Sequence, residues 1–276
     1  MRPVRTRSMD DIGVGVPQAL PLPIDEDMLA TVIEHASVTR GEGLRHARRE
    51  IAKDRDGTLR TILTLLQVLV IPRTEEIIAS DGMRGAKIEC RAGCNYCCHQ
   101  NVEVSIPEAI LVAVQVADPS DPRRLVILES AEAIAGLGRE ERLLTGRPCA
   151  LLVDGNCSVY ENRPLQCRAT LSPYAKGCAD ALRGMRSVRI YAALQFFAQA
   201  DKDALRGICK DLGLQYDNVD LVQTVAAILK DPLLVMKWAQ GERVFTPLPA
   251  NRRLRDNGAK EINSPAFAQN GALSAQ

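Results

Sequence analysis

Aromatic side chains are scarce in this chain, 4% of its 276 residues, so stacking platforms for single-stranded nucleic acid are not expected. An excess of charge of one sign is missing too. The 35 Lys and Arg against 34 Asp and Glu leave a net charge of +1, which gives no electrostatic footprint for nucleic acid or an anionic membrane surface. The sequence has no long hydrophobic run. The longest near-apolar stretch, Leu59 to Ile71, stops at Pro72; it is too short to span a bilayer and reads as a buried helix. Asp10, Asp11 and several prolines interrupt the arginine-bearing N-terminus before any apolar signal segment can form, so the reducing cytoplasm is the expected compartment. No P-loop, nucleophile elbow, H-E-x-x-H or G-x-G-x-x-G occurs, and this weakens an ordinary nucleotide or S-adenosylmethionine fold.

What is present is enough for a core. At 46% hydrophobic and 25% charged, the composition is that of a globular protein. The pattern predicts a disordered segment over 1–24, helices over 25–84, a cysteine-rich core over 85–184, helices over 185–241 and a disordered tail over 242–276. Within the helices, Asp25 is expected to open one that runs to Val38, with a second over 42–53. Ser105 and Glu108 have the spacing of a capping box for a helix that runs through Val116. Asp121-Pro122 and Asp231-Pro232 each read as a helix start. The fold class expected is mainly α, with a small irregular cysteine-rich metal-binding core containing a short β-hairpin.

Cysteine is where the sequence concentrates. Eight of the nine, Cys90, Cys94, Cys97, Cys98, Cys149, Cys157, Cys167 and Cys178, fall in one stretch, and only Cys209 lies outside it. Without an export signal, such clustering points to metal ligation rather than disulfides. Cys94-x2-Cys97 lets the chain fold around a metal with both thiolates facing it, and Gly93 supplies backbone freedom for the knuckle. Residues 149–160 read as a hairpin. A three-residue loop, Asp154-Gly155-Asn156, pairs Val153 with Cys157 and puts Cys149 and Cys157 on one face. In a regular hairpin those two cysteines would lie about 13 Å apart, too far to share one zinc ion. Cys209 sits on an apolar helical stripe with Leu205, Ile208 and Leu212 and reads as packing. His35 and His46, in charged helices, read as solvated.

The group Cys94-x2-Cys97-Cys98, followed by Cys149 and by Gly155-Asn156-Cys157-x-x-Tyr160-Glu161-x-Arg163-Pro164-x-x-Cys167-Arg168, resembles the YkgJ-like cysteine-cluster (CxxCxxCC) family. Flagellin lysine methylase is a relative of that family. The resemblance covers roughly 88–175 and implies zinc or iron chelation. Here Cys90 precedes Cys94 by a C-x3-C spacing rather than the family's C-x2-C. Eight thiolates could make two closed four-cysteine zinc sites or one iron–sulfur cluster with spare cysteines.

Glu161, Arg163 and Arg168 are candidates for a second shell around the sulfurs, with a plain turn salt bridge as the alternative. The expected cofactor is an iron–sulfur cluster or zinc, and the partner is the metal ion. No nucleic acid or membrane is expected, and room is left for a protein partner or protein substrate. Two function classes stay open: an iron-dependent protein-modifying enzyme of methylase-like transferase type, and a zinc-stabilised interaction module. No catalytic residue is assigned.

Overall fold

The computed structural model describes residues 15–20, 26–53, 57–79, 87–138, 141–142, 145–182 and 187–248. In chain order the elements are β1 (Gly15–Leu20), α1 (Glu26–Lys53), α2 (Thr58–Leu65), a π-helical turn (Leu66–Val70) and α3 (Ile71–Ala79). A 3-10 turn (Tyr96–His99) precedes β2 (Glu103–Ser105), α4 (Ile106–Gln115) and α5 (Arg123–Ala133). Then come β3 (Leu152–Val153), β4 (Asn156–Cys157), α6 (Leu165–Ala169) and α7 (Ala175–Leu182). The rest is β5 (Ser187–Tyr191), α8 (Ala192–Asp211), β6 (Asn218–Asp220), α9 (Leu221–Lys230) and α10 (Leu233–Ala239). The protein is mostly helical, as its pattern predicts. No helix among the described residues is long and apolar enough to cross a membrane.

The core is continuous. Ile62, Leu65, Leu66 and Val70 from the second helical segment pack with Ile106, Ile110, Leu165, Leu205, Ile208 and Trp238 in one buried cluster. The strands contribute little to it. Each sheet has two strands: β1 runs parallel to β5, β2 antiparallel to β6, and β3 antiparallel to β4.

Several local expectations change. The two helices expected around residue 40 are one, Glu26–Lys53, because packing against α8 outweighs the small helix penalty of Gly41 and Gly43. The helical run does not stop at Pro72. A π turn over Leu66–Val70 absorbs the mismatch, and Pro72 falls in the first turn of α3, where its missing N–H costs nothing. β1 lies inside the segment expected to lack order. Packing also continues past 242, since Phe245 is buried and its N–H donates to Gln215 Oε1 at 3.1 Å. Residues 1–14, Asp25 and everything after 248 lie outside the described residues.

His35 is not solvated. Its Nε2 lies 2.7 Å from Asp201 Oδ1, and Thr74 Oγ1 donates to Asp201 Oδ2 at 2.6 Å, which ties α1, α3 and α8 together.

The capping box at the start of α4 is formed, and it does more than cap. Ser105 N–H and Oγ–H donate to Glu108 Oε2 at 2.8 and 2.7 Å. Glu108 Oε1 accepts from Leu165 N–H at 2.8 Å, across 57 residues. One carboxyl group that is only 2% exposed thus closes the N-termini of two helices, α4 and α6. In Glu108→Ala, the Ser105 and Leu165 amides lose their acceptor. At about 1–3 kcal/mol for each buried unsatisfied group, we expect a stability loss of roughly 3 kcal/mol in urea unfolding. Asp118→Ala, which removes only exposed bonds to Ser120, serves as the control and should cost about 0.5 kcal/mol. Equal losses in the two variants would contradict this role for Glu108.

Candidate metal centre

The cysteines sit in chain segments that are pinned by backbone and side-chain hydrogen bonds rather than by long regular elements. Cys94 N–H bonds to Arg91 O at 3.0 Å, closing a turn in which Gly93 has φ +85°, a conformation that glycine adopts without strain. Asn95 Nδ2 donates to Gly155 O at 2.9 Å and fastens this knuckle to the hairpin. Cys97 and Cys98 follow in the 3-10 turn. Cys98 O accepts from Cys149 N–H at 2.6 Å. Cys90 Sγ accepts from Ser172 N–H at 3.2 Å, and Glu89 Oε2 caps α7 through Ala175 N–H at 2.8 Å. Cys178 lies on α7 and Cys167 on α6.

The hairpin register differs from the expected one. Val153 pairs with Asn156 and Leu152 with Cys157, so the loop has two residues, Asp154 and Gly155, with φ +48° and +76°. Two consecutive left-handed residues give a turn whose twist matches the strands, which a three-residue loop here would not. Asn156 instead donates from its side chain to Asp154 O at 3.1 Å. The strands end after two residues, and a turn from Leu152 N–H to Cys149 O at 2.9 Å bends the chain back. Strand alternation therefore does not govern Cys149. That turn, and not an extended strand, sets the placement of Cys149 relative to Cys157.

All nine cysteines are free thiols, and eight of them influence one another. Cys90 feels Cys94, Cys97 and Cys178, and Cys178 feels Cys94 and Cys97. Cys149 feels Cys157 and Cys97, and Cys167 feels Cys149, Cys97 and Cys157. Cys97 is common to both sets and is hydrogen-bonded to Cys98. Cys209 stands apart: it is fully buried on α8, and burial alone pushes its thiol up to about 12. Among the described residues, no three His, Cys, Asp or Glu side chains already stand in metal-holding geometry.

Burial pushes the Cys90 and Cys149 thiols up to about 11 and the Cys167 and Cys178 thiols upward as well. Cys97 rises first through its bond to Cys98, then through burial, while the Arg163 guanidinium pulls it back down. Cysteine sulfurs are soft donors, suited as thiolates to zinc or to iron with sulfide. Nearby in sequence, His99 Nδ1 is buried with no hydrogen-bond partner among the described residues.

The arginines serve the frame more than the sulfurs. Arg168, which is buried, donates to Glu75, to Glu161 O and, at 3.0 Å, to Arg163 O. Arg163 lies over the Tyr160 ring at 3.9 Å and donates to Tyr160 O at 3.1 Å and to Glu75 Oε1 at 3.5 Å. The carboxylate that meets these arginines is Glu75 of α3; Glu161 contributes its main-chain carbonyl. No local motif marks Glu75, and it is not visible as a partner in the sequence.

A polar cleft of about 210 Å³ reaches two of the thiols, Cys97 and Cys167. Gln166, Thr170, Gln199 and Lys202 line it from α6 and α8.

Residues 89–187 match the CxxCxxCC family model. That model is described as a putative zinc- or iron-chelating domain, and it spans all eight interacting cysteines and excludes Cys209. The match supports metal binding through the cysteines, with zinc or iron–sulfur as the compatible cofactor. No curated protein and no solved structure matches the chain.

Because burial holds the Cys90, Cys149, Cys167 and Cys178 thiols toward the neutral form, binding a metal there as thiolates must release protons. The sign follows. The protonated form dominates below the raised pKa values, so lowering pH favours metal loss and raising it favours uptake. In weakly buffered solution at about pH 8, metal-free protein should release on average close to one proton per cysteine engaged. Release of none, followed with an indicator dye, would show that the thiols are not the ligands.

Proposed function

We propose that Cys90, Cys94, Cys97, Cys98, Cys149, Cys157, Cys167 and Cys178 hold an iron–sulfur centre that faces a polar cleft, and that the protein acts through this centre. The observation that carries the reading is the position of Cys97. Cys97 is near enough to Cys90 and Cys178 on one side and to Cys149 and Cys167 on the other to perturb all four, and the two sets together offer eight thiols, more than the four donors a single zinc ion takes. A multi-iron cluster accommodates such a spread set. The cleft supports a working role over scaffolding, because a purely structural site is closed on all sides.

When bound, such a cluster supplies electron transfer or Lewis acidity. The chain's own residues do the remaining work. Glu108 fixes the helix that bears Cys167, Asn95 fixes the knuckle, and Arg163 places positive charge near Cys97. His99 Nδ1 is a further donor available to the centre.

The test is metal content per folded chain after anaerobic purification, with a visible spectrum. Iron with acid-labile sulfide is expected, lost for the most part in Cys157→Ser and in Cys167→Ser. Cys209→Ala should keep it and lose only about 1 kcal/mol of stability. Zinc as the sole metal would overturn the iron reading. Full metal in Cys167→Ser, or its loss in Cys209→Ala, would overturn the assignment of ligands.

A further inference from the structure

Buried charges among the described residues come with partners. Asp201 has His35 and Thr74, Arg168 has Glu75, Asp220 has Arg142, Asp180 has Lys176, and Glu108 has its ring of donors. Lys202 of α8 is the exception. It is 6% exposed, and no ion pair of its ammonium is found among the described residues, where its carbonyl is engaged by Tyr216 Oη–H at 2.8 Å. Burying an unpaired charge is costly, so such a group is kept where an anion can reach it. Lys202 lines the cleft that contains Cys97 and Cys167, together with a single carboxylate, Glu103 of β2, which has an interaction of its own and can meet a ligand's amino or hydroxyl group.

The neighbouring amides are oriented. Gln166 Nε2 donates to Gln195 Oε1 at 2.8 Å, and Gln195 Nε2 donates onward to Ala169 O at 2.7 Å. Gln199 Nε2 donates to Asp203 Oδ1 at 3.1 Å. Each of these two cleft amides thus spends one of its two N–H donors on the frame, and its carbonyl oxygen keeps acceptor capacity near the cation. Thr170 is held by donation to Gln166 O at 2.7 Å, and its oxygen keeps acceptor capacity. At about 210 Å³ the cleft has room for a small organic molecule and not just a single water.

We propose that this cleft binds a small carboxylate carrying a hydroxyl or amino group. Lys202 pairs with the carboxylate, and the glutamine carbonyls accept from the hydroxyl or amine. The ligand lies on the side of the cysteine group where Cys97 and Cys167 line the cleft. The location beside a metal rests on the metal-centre reading; the anion site itself does not.

The experiment uses the full chain as purified with its metal. Glycolate, glycine and the neutral analogue glycolamide are titrated by calorimetry, with inorganic phosphate as a non-carboxylate anion. Glycolate or glycine should bind, and glycolamide should bind about tenfold or more weakly than glycolate. In Lys202→Met, which keeps the apolar stem, glycolate affinity should fall by about tenfold or more at unchanged metal content. Gln199→Leu should weaken glycolate while leaving phosphate unaffected.

Equal binding of glycolate and glycolamide by the wild-type chain would overturn the proposal, and that comparison decides even where Lys202→Met does not fold. So would wild-type glycolate affinity in a folded Lys202→Met, or binding of phosphate alone. Protein that binds glycolate but carries no metal would sink the metal reading and leave the cleft standing. Metal without any carboxylate binding would do the reverse.

Discussion

The buried carboxyl group of Glu108 is the constraint on which the arrangement of the cysteine region rests. It closes α4 through Ser105 and α6 through Leu165, so a local capping motif also sets the distance between two helices far apart in sequence. α6 carries Cys167, and the segment just before β2 carries Cys97 and Cys98. The polar group that starts a helix therefore also fixes where two parts of the thiol group face each other. A carboxyl group can do this because it has two oxygens with separate lone pairs, one turned to each helix.

Around that fixed pair the remaining cysteines are placed by short, cheap devices. Asn95 ties the knuckle to the Asp154-Gly155 turn, Ser172 meets Cys90, and Glu89 starts the helix of Cys178. None of these is a long element, and none buries much apolar surface. The frame behind them is helical and well packed, with α1 and α8 joined by the His35–Asp201 pair and Arg168 locked onto Glu75. This division gives a rigid helical wall with a thiol-rich, loop-built layer on it. Burial raises the Cys90 and Cys149 thiols, so a metal taken up there must replace their protons.

Much of this was legible in the sequence, for physical reasons that can be named. The helical periodicity of Leu59, Ile62, Leu66 and Val70 marked a core segment, and the Ser105–Glu108 spacing marked the cap. Cysteine clustering separated the eight from Cys209. What escaped was set by tertiary contact. Packing on α8 carried α1 through its glycines, and a π turn let the helix pass Pro72. Asp154 took a left-handed conformation that shortened the hairpin loop. Glu75, Asp201 and Lys202 carry no local signature, because their roles depend on partners and cavities made by distant segments.

The central claim is that sulfur from these eight cysteines surrounds one multinuclear centre. X-ray absorption at the metal edge of the anaerobically purified protein tests it most directly. The account predicts an iron edge with a first shell of sulfur near 2.3 Å, a typical metal–thiolate distance, and a second scattering feature from a neighbouring iron. A first shell made of nitrogen and oxygen alone, or a lone zinc with four sulfurs and no metal neighbour, would contradict it.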